Sequence, residues 1–229
     1  MPAEQTFEST RRFRDRIDAG RKLAVQLRQY EGEQPVVVAL PRGGVPVGYE
    51  VARALQGPPD VCVVRKIGVP WHPELGVGAV AEGGFVYINP GIVRHVGLGQ
   101  RELSEVTEQK RAEVDERVRK FRGVRPRSEL RGRSVLLVDD GIATGGTTRA
   151  AILSIRAQKP ARIVLAVPVA AAETLRELEP EVEHVVSLLT PDSLYAIGLW
   201  YEDFSQVSDA EVVRLLSHAQ PQRASHAAH

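Results

Sequence analysis

The chain has 229 residues, of which 43% are apolar and 26% charged, and its formal net charge is +1. That length and apolar content suit one sizeable core, so a single domain over 1–220 with an N-terminal helix is expected. The near-neutral charge gives no electrostatic case for nucleic acid, no run nears the roughly 18 apolar residues of a membrane span, and the first residues carry no apolar signal segment. The single cysteine, Cys62, excludes an intrachain disulfide and argues against a metal cluster, which fits a reducing, cytoplasmic setting.

Taken in chain order, Phe13, Ile17, Leu23, Ala24 and Leu27 recur at helical spacing and predict an N-terminal helix packed outside a sheet. Residues 35–40 form a continuous apolar run, the mark of a strand buried on both faces, and lead through Pro41, Arg42, Gly43 and Gly44 into an apolar helical pattern. A second strand is expected at 61–64, ending in Arg65 and Lys66. The following stretch, 68–84, is rich in Gly and Pro and reads as a lid or a disordered loop. Within and after it, 78–82 and 85–89 are able to pair as a hairpin around Gly83 and Gly84. Trp71, His72 and Glu74 fall in the lid without a clear task.

Residues 103–121 predict a charged helix with one apolar stripe of Leu103, Val106, Val114, Val118 and Phe121. Its cations Lys110, Arg111, Arg117, Arg119 and Lys120 are either a solvated face or the lining of a homodimer groove. Segments 134–138, 162–168 and 183–189 complete a set of short apolar strands, most of them separated by helical patterns, which argues for a parallel α/β sheet flanked by helices. Residues 221–229 have neither periodicity nor bulk and are predicted to be a disordered tail.

The densest chemical signal is 135–148, VLLVDDGIATGGTT. An apolar strand delivers Asp139 and Asp140 at its carboxyl end, where open α/β sheets bind ligands. Gly141, Gly145 and Gly146 let the backbone approach a ligand, Thr144, Thr147 and Thr148 add hydroxyls, and amides at the start of the next helix favour a phosphate. This combination suits a phosphorylated sugar. A solvated acidic turn is the bland alternative, but adjacent carboxylates at a glycine turn repel and gain nothing without a ligand. No Lys follows the glycines and the acidic pair precedes them, so neither a Walker A loop nor a dinucleotide fingerprint is matched.

These residues resemble the phosphoribosyl-diphosphate (PRPP) signature of the type I phosphoribosyltransferases. The resemblance, over roughly 10–205, implies the fold of that family: a parallel sheet flanked by helices, a small hood and a mobile lid or hairpin. It implies that Asp139 and Asp140 hold the ribose hydroxyls while Ala143, Thr144, Gly145, Gly146, Thr147 and Thr148 wrap the 5′-phosphate. Pro41-Arg42-Gly43-Gly44 resembles the family's pyrophosphate loop, which often carries a cis peptide bond, with Arg42 as a cationic clamp. Arg65 and Lys66 resemble a pair that opens the catalytic loop in the adenine and orotate branches. Leu194 onward, LYAIGLWYEDF, resembles the hood of the hypoxanthine-guanine branch, which makes Tyr195 the stacking ring and Glu202 an acidic residue near metal, while Trp200, Tyr201 and Phe204 are either core or an acceptor platform. That branch's purine-reading Lys has no counterpart in this segment. The implied activity is transfer of a 5-phosphoribosyl group from PRPP to a nitrogen nucleophile with release of pyrophosphate. It depends on Mg²⁺ held mainly by PRPP and water, and Asp139, Asp140, Arg42 and Lys66 are the catalytic candidates. A PRPP-sensing regulator of the same fold is the alternative, and the acceptor is unidentified.

Overall fold

The computed structural model describes residues 12–123 and 126–218. The predicted tail at 221–229 lies outside the described residues. Five parallel strands form the main sheet in the order β2-β1-β6-β7-β8: β1 (Val36–Ala39), β2 (Pro59–Val61), β6 (Ser134–Val138), β7 (Arg162–Val169) and β8 (His184–Leu189). A three-stranded antiparallel sheet holds β3 (Val64–Val69), β4 (His72–Ala81) and β5 (Phe85–Ile88). Seven α-helices accompany them among the described residues: α1 (Arg16–Gln26), α2 (Gly44–Leu55), α3 (Pro90–Val96), α4 (Gln100–Arg122), α5 (Gly146–Arg156), α6 (Ala172–Leu178) and α7 (Asp209–His218). No described helix is long and apolar enough to cross a membrane.

The unbroken apolar runs follow from burial on both faces, because successive strand residues point to opposite sides. Val36 and Val38 of β1, Val135 and Leu137 of β6 and Ile163 and Leu165 of β7 pack with Ala151, Ile152 and Ile155 of α5. Val37, Leu136 and Val164 face the other way, onto Leu23 and Leu27 at α1 and Val47, Val51 and Leu55 of α2. A third apolar cluster lies between the small sheet, α4 and α7, with Ile67, Val80, Phe121, Val212 and Leu216 at its centre.

Several expectations need correction. The strand expected at 61–64 is two: β2 ends at Val61, Cys62 and Val63 carry the chain across, and β3 starts in the other sheet. Arg65 and Lys66 therefore lie inside β3 and not at a strand end. The stretch 68–84 is mostly strand β4 and not a long irregular loop. Its glycines mark close backbone approach: a Cβ on Gly68 would lie 2.2 Å from the Pro73 carbonyl oxygen, and one on Gly78 would lie 2.2 Å from that of Tyr87. The hairpin around Gly83 and Gly84 forms as expected, with both glycines at positive φ. In α1, Ile17 is 41% exposed, and the buried face runs instead through Arg16, Gly20 and Leu23. The stripe of α4 is as expected, with Val114 and Phe121 buried.

Candidate functional site

Two chain segments meet at the carboxyl ends of β1 and β6. Asp139 and Asp140 leave β6, and the Pro41–Gly44 turn leaves β1 beside them, tied by a hydrogen bond from the Leu40 amide to the Val138 carbonyl at 2.9 Å. The Pro41-Arg42 peptide bond is cis. Both glycines of this turn are required by packing on the acidic pair. A Cβ on Gly43 would stand 1.9 Å from Asp140 Oδ2, and one on Gly44 would stand 2.9 Å from the Asp139 Cα. The two motifs read separately in the sequence are thus one construction.

The two carboxylates differ in partners. Asp140 Oδ2 accepts from Arg16 Nε at 2.7 Å, in a pair whose side chains are both largely buried. Arg16 also donates to the Ser205 carbonyl at 2.8 Å and lies 3.8 Å over the Phe204 ring, while the Tyr201 hydroxyl donates to the Asp140 carbonyl at 2.6 Å. Asp139 Oδ1 accepts the Asp140 amide at 2.9 Å. Burial, followed by the Asp140 carboxylate, pushes the Asp139 carboxyl well above its usual range. Burial raises Asp140 too, against the opposing pull of Arg16. A cation, or hydroxyls that donate, would relieve the charge on Asp139.

Asp139 and Asp140 open onto a cleft of about 420 Å³. One wall is the loop 141–147 with Ala143, Thr144, Gly145, Gly146 and Thr147. Gly145 sits at φ +71°, and α5 starts behind it with no side-chain cap on its first-turn amides. Those amides and the helix dipole favour an anion. Thr148 does not line the cleft. It is 1% exposed, and its Oγ1 has no hydrogen-bond partner. The facing wall comes from the small sheet and α3: Lys66, Glu74, Leu75, Gly76, Tyr87, Asn89 and Ile92. Lys66 Nζ donates to the Glu74 carbonyl, and the Lys66 stem crosses Gly76, where a Cβ would be 2.4 Å from its Cε.

The remaining candidates lie elsewhere. Adjacent residues on a strand face opposite ways, so Arg65 is directed away from Lys66 into a second recess, with Arg42 and Arg117. Tyr195 is 91% exposed and does not line the cleft; Ile197, two residues on, does. Trp200 packs in an apolar cluster with Phe13 and Tyr201, and Glu202 is exposed, its amide bonded to the Phe13 carbonyl at 2.8 Å. Among the described residues no group of three or more His, Cys, Asp or Glu side chains is arranged to hold a metal ion. Sequence reading missed Arg16, Tyr87, Asn89, Ile92 and Ile197. Arg16 alone left a signal, a charge at the spacing of Gly20, Leu23 and Leu27 on the face that becomes buried.

Comparison with known proteins agrees with this architecture. The chain is 45% identical over 207 residues to a Mycobacterium tuberculosis (strain H37Rv) protein that bears the name "Putative phosphoribosyl transferase", covering 90% of this chain and 47% of that protein. It thus spans about half the length of the curated relatives it matches. The crystal structure of TT1426 from Thermus thermophilus superposes with a TM-score of 0.77 at 42% identity, covering 92% of this chain and all of that one. The family model described as "Phosphoribosyl transferase domain" matches residues 11–201, which takes in the PRGG turn, the small sheet, the acidic pair and the phosphate-type loop. The chain belongs to the phosphoribosyl transferase domain family and has its type I fold.

Proposed function

We propose that the chain transfers a 5-phosphoribosyl group from PRPP to a nitrogen nucleophile, releasing pyrophosphate. The observation that carries this reading is the convergence of Asp139, the loop 141–147 and Lys66 on one cleft of about 420 Å³, room for a phosphorylated sugar and a small ring. In this reading the amides of Gly145 to Thr147 take the 5′-phosphate, and Asp139 accepts from the ribose hydroxyls. Asp140, bound to Arg16, acts as a positioning residue that holds the acidic turn on Gly43. The bond from C1 to the diphosphate oxygen breaks toward an oxocarbenium-like state, so the leaving group needs charge stabilisation more than the acceptor needs a strong base. Lys66 provides it on this chain, while the Gly44 amide is already bonded to the Leu40 carbonyl at 3.0 Å. Arg42, directed into the second recess, would reach the diphosphate only after turning back.

Magnesium, when bound, would neutralise diphosphate oxygens and polarise the leaving group. The donor set fits a cation carried largely by the substrate: Asp139 lines the cleft, and its carboxylate oxygens are hard ligands of the right kind. Leu75, Tyr87, Ile92 and Ile197 form the apolar part of the cleft and are the proposed acceptor contacts. The proposed setting of the reaction is the cytoplasm.

Two observations favour a second reading, a PRPP sensor without catalysis: Arg42 faces away from the cleft, and Asp140 is already ion-paired with Arg16. A single assay separates the two. Pyrophosphate release from PRPP and Mg²⁺ is measured across purines, pyrimidines and small heterocyclic amines, alongside calorimetric PRPP binding. Release with any acceptor supports transfer; tight binding with no release across the panel supports the sensor; absence of binding overturns both.

A further inference from the structure

The small sheet sends one neutral side-chain amide into the cleft. Alternate residues of β5 face opposite ways: Val86 and Ile88 pack with the cluster under α4, while Phe85 and Tyr87 pack on the α5 side. Asn89 follows with extended backbone, φ −90° and ψ 103°, and its amide donates to the Val77 carbonyl at 2.8 Å, so the alternation carries through it. Asn89 therefore shares the side of Tyr87 and lines the cleft with it. Its orientation is fixed. Oδ1 accepts the Ile92 amide at 3.1 Å, and because only the oxygen of a side-chain amide accepts, Nδ2 is the free end. Among the described residues none accepts a hydrogen bond from it. Tyr87 lies against the phosphate-type loop, where a Cβ on Gly146 would be 4.0 Å from its Cε1. Two residues of strand carry Asn89 roughly 7 Å farther along the wall. Its neighbours Val77 and Ile92 are apolar, and of the segment 194–204 only Ile197 lines the cleft, so that side offers no polar side chain.

We propose that Asn89 reads the edge of the acceptor ring: Nδ2 donates to a carbonyl oxygen on the edge away from the nucleophilic nitrogen, so the acceptor is an oxo-bearing heterocycle. The inference rests on the transferase reading for the seat of the sugar phosphate on the loop 141–147. With the sugar held there and on Asp139, a ring joined at C1 turns its far edge to the facing wall, where Asn89 stands. An apolar cleft accepts many flat rings, and one placed polar group decides between them. Nδ2 only donates, so it pairs with an exocyclic carbonyl and is left unpaired against an exocyclic amino group.

The test is calorimetric titration of the full chain with nucleoside 5′-monophosphates, in which the phosphate anchors the probe and the base alone varies. Inosine and uridine monophosphates present a carbonyl at the far edge; adenosine and cytidine monophosphates present an amino group there. The oxo probe of each pair should bind at least about fivefold tighter, as for one net hydrogen bond. Asn89→Asp keeps an oxygen for the Ile92 amide and replaces the donor by an acceptor, so the order in both pairs should reverse. Asn89→Ser keeps a capping oxygen without the donor and should level the pairs. Ribose 5-phosphate, which has no base, should bind wild type and both variants alike, and thermal melts verify that each variant is folded. An absent oxo preference in the wild type, an unchanged order in folded Asn89→Asp, or a matching loss of ribose 5-phosphate binding overturns the proposal. Absence of binding by all four monophosphates overturns it as well. Pyrophosphate release from PRPP decides the transferase reading separately: an oxo preference that follows Asn89 without release supports base reading and overturns transfer, and release without that preference sustains transfer alone.

Discussion

Asp139 is kept in a place that opposes its charge. Burial and then Asp140 raise its carboxyl, so its protonated form is the one the fold prefers. A raised acid contributes stability in full below its unfolded value, near 3.9, and loses that contribution as pH climbs through the raised folded value. Asp139→Asn should therefore gain on the wild type as pH rises above about 4, with its melting temperature rising relative to wild type. It should also abolish ribosyl transfer. Calorimetric melts near pH 4 and near pH 8 check this, and a stability gap that does not widen with pH counts against it. Arg16 behaves oppositely. Arg16→Ala strands Asp140 in a buried site, at a cost of about 3–5 kcal/mol. Replacing the pair, Arg16→Met with Asp140→Asn, should restore most of that in urea titrations.

At the scale of elements, β3 separates two cationic neighbours by the parity of a strand, and Gly76 on β4 decides where Lys66 lies. A methyl group there meets the far end of a flexible chain and not backbone. Gly76→Ala should thus keep the fold, with a melting shift under about 2 °C, and displace Lys66 from the cleft. We expect kcat to fall at least tenfold with PRPP affinity changed much less, as for a group acting on the leaving diphosphate. An unchanged kcat would remove Lys66 from that role. The acidic loop and the PRGG turn were legible in the sequence because each is a local strand-turn-helix with its own glycines and charges. The split between Arg65 and Lys66 was not, since it depends on where β3 begins, and the apolar run through Cys62 and Val63 conceals the change of sheet. Arg16, Ile197 and the docking of α7 were also hidden. Their positions are set by contacts across the fold, such as Arg16 with Ser205 and Asp140, that no local spacing encodes.

For the whole molecule, the joint between the two sheets is held by a buried charged clasp. Arg122 at the end of α4 contacts Glu82 and, at 3.2 Å, Asp60, and it donates to the Val61 carbonyl at 2.6 Å; Asp60 also accepts the Ser128 amide at 2.7 Å. Cys62 sits inside this joint, fully buried, and burial pushes its thiol up to about 12. It should resist thiol reagents in the native state and react only when the joint opens, so that its labelling rate in urea follows global unfolding. Rapid labelling in native buffer would show that the sheets part readily.

The clasp bounds a segment that is continuous in sequence. Everything in 64–122, the small sheet with α3 and α4, is one uninterrupted stretch placed between β2 and β6, and it contributes Lys66, Leu75, Tyr87, Asn89 and Ile92 to the cleft. The opposite wall, 139–147, belongs to the main sheet. A single recombination at the two ends of that stretch would exchange one whole side of the cleft and leave the other untouched. Such an exchange would redraw what the cleft accepts in one genetic step, with the loop 141–147 kept intact.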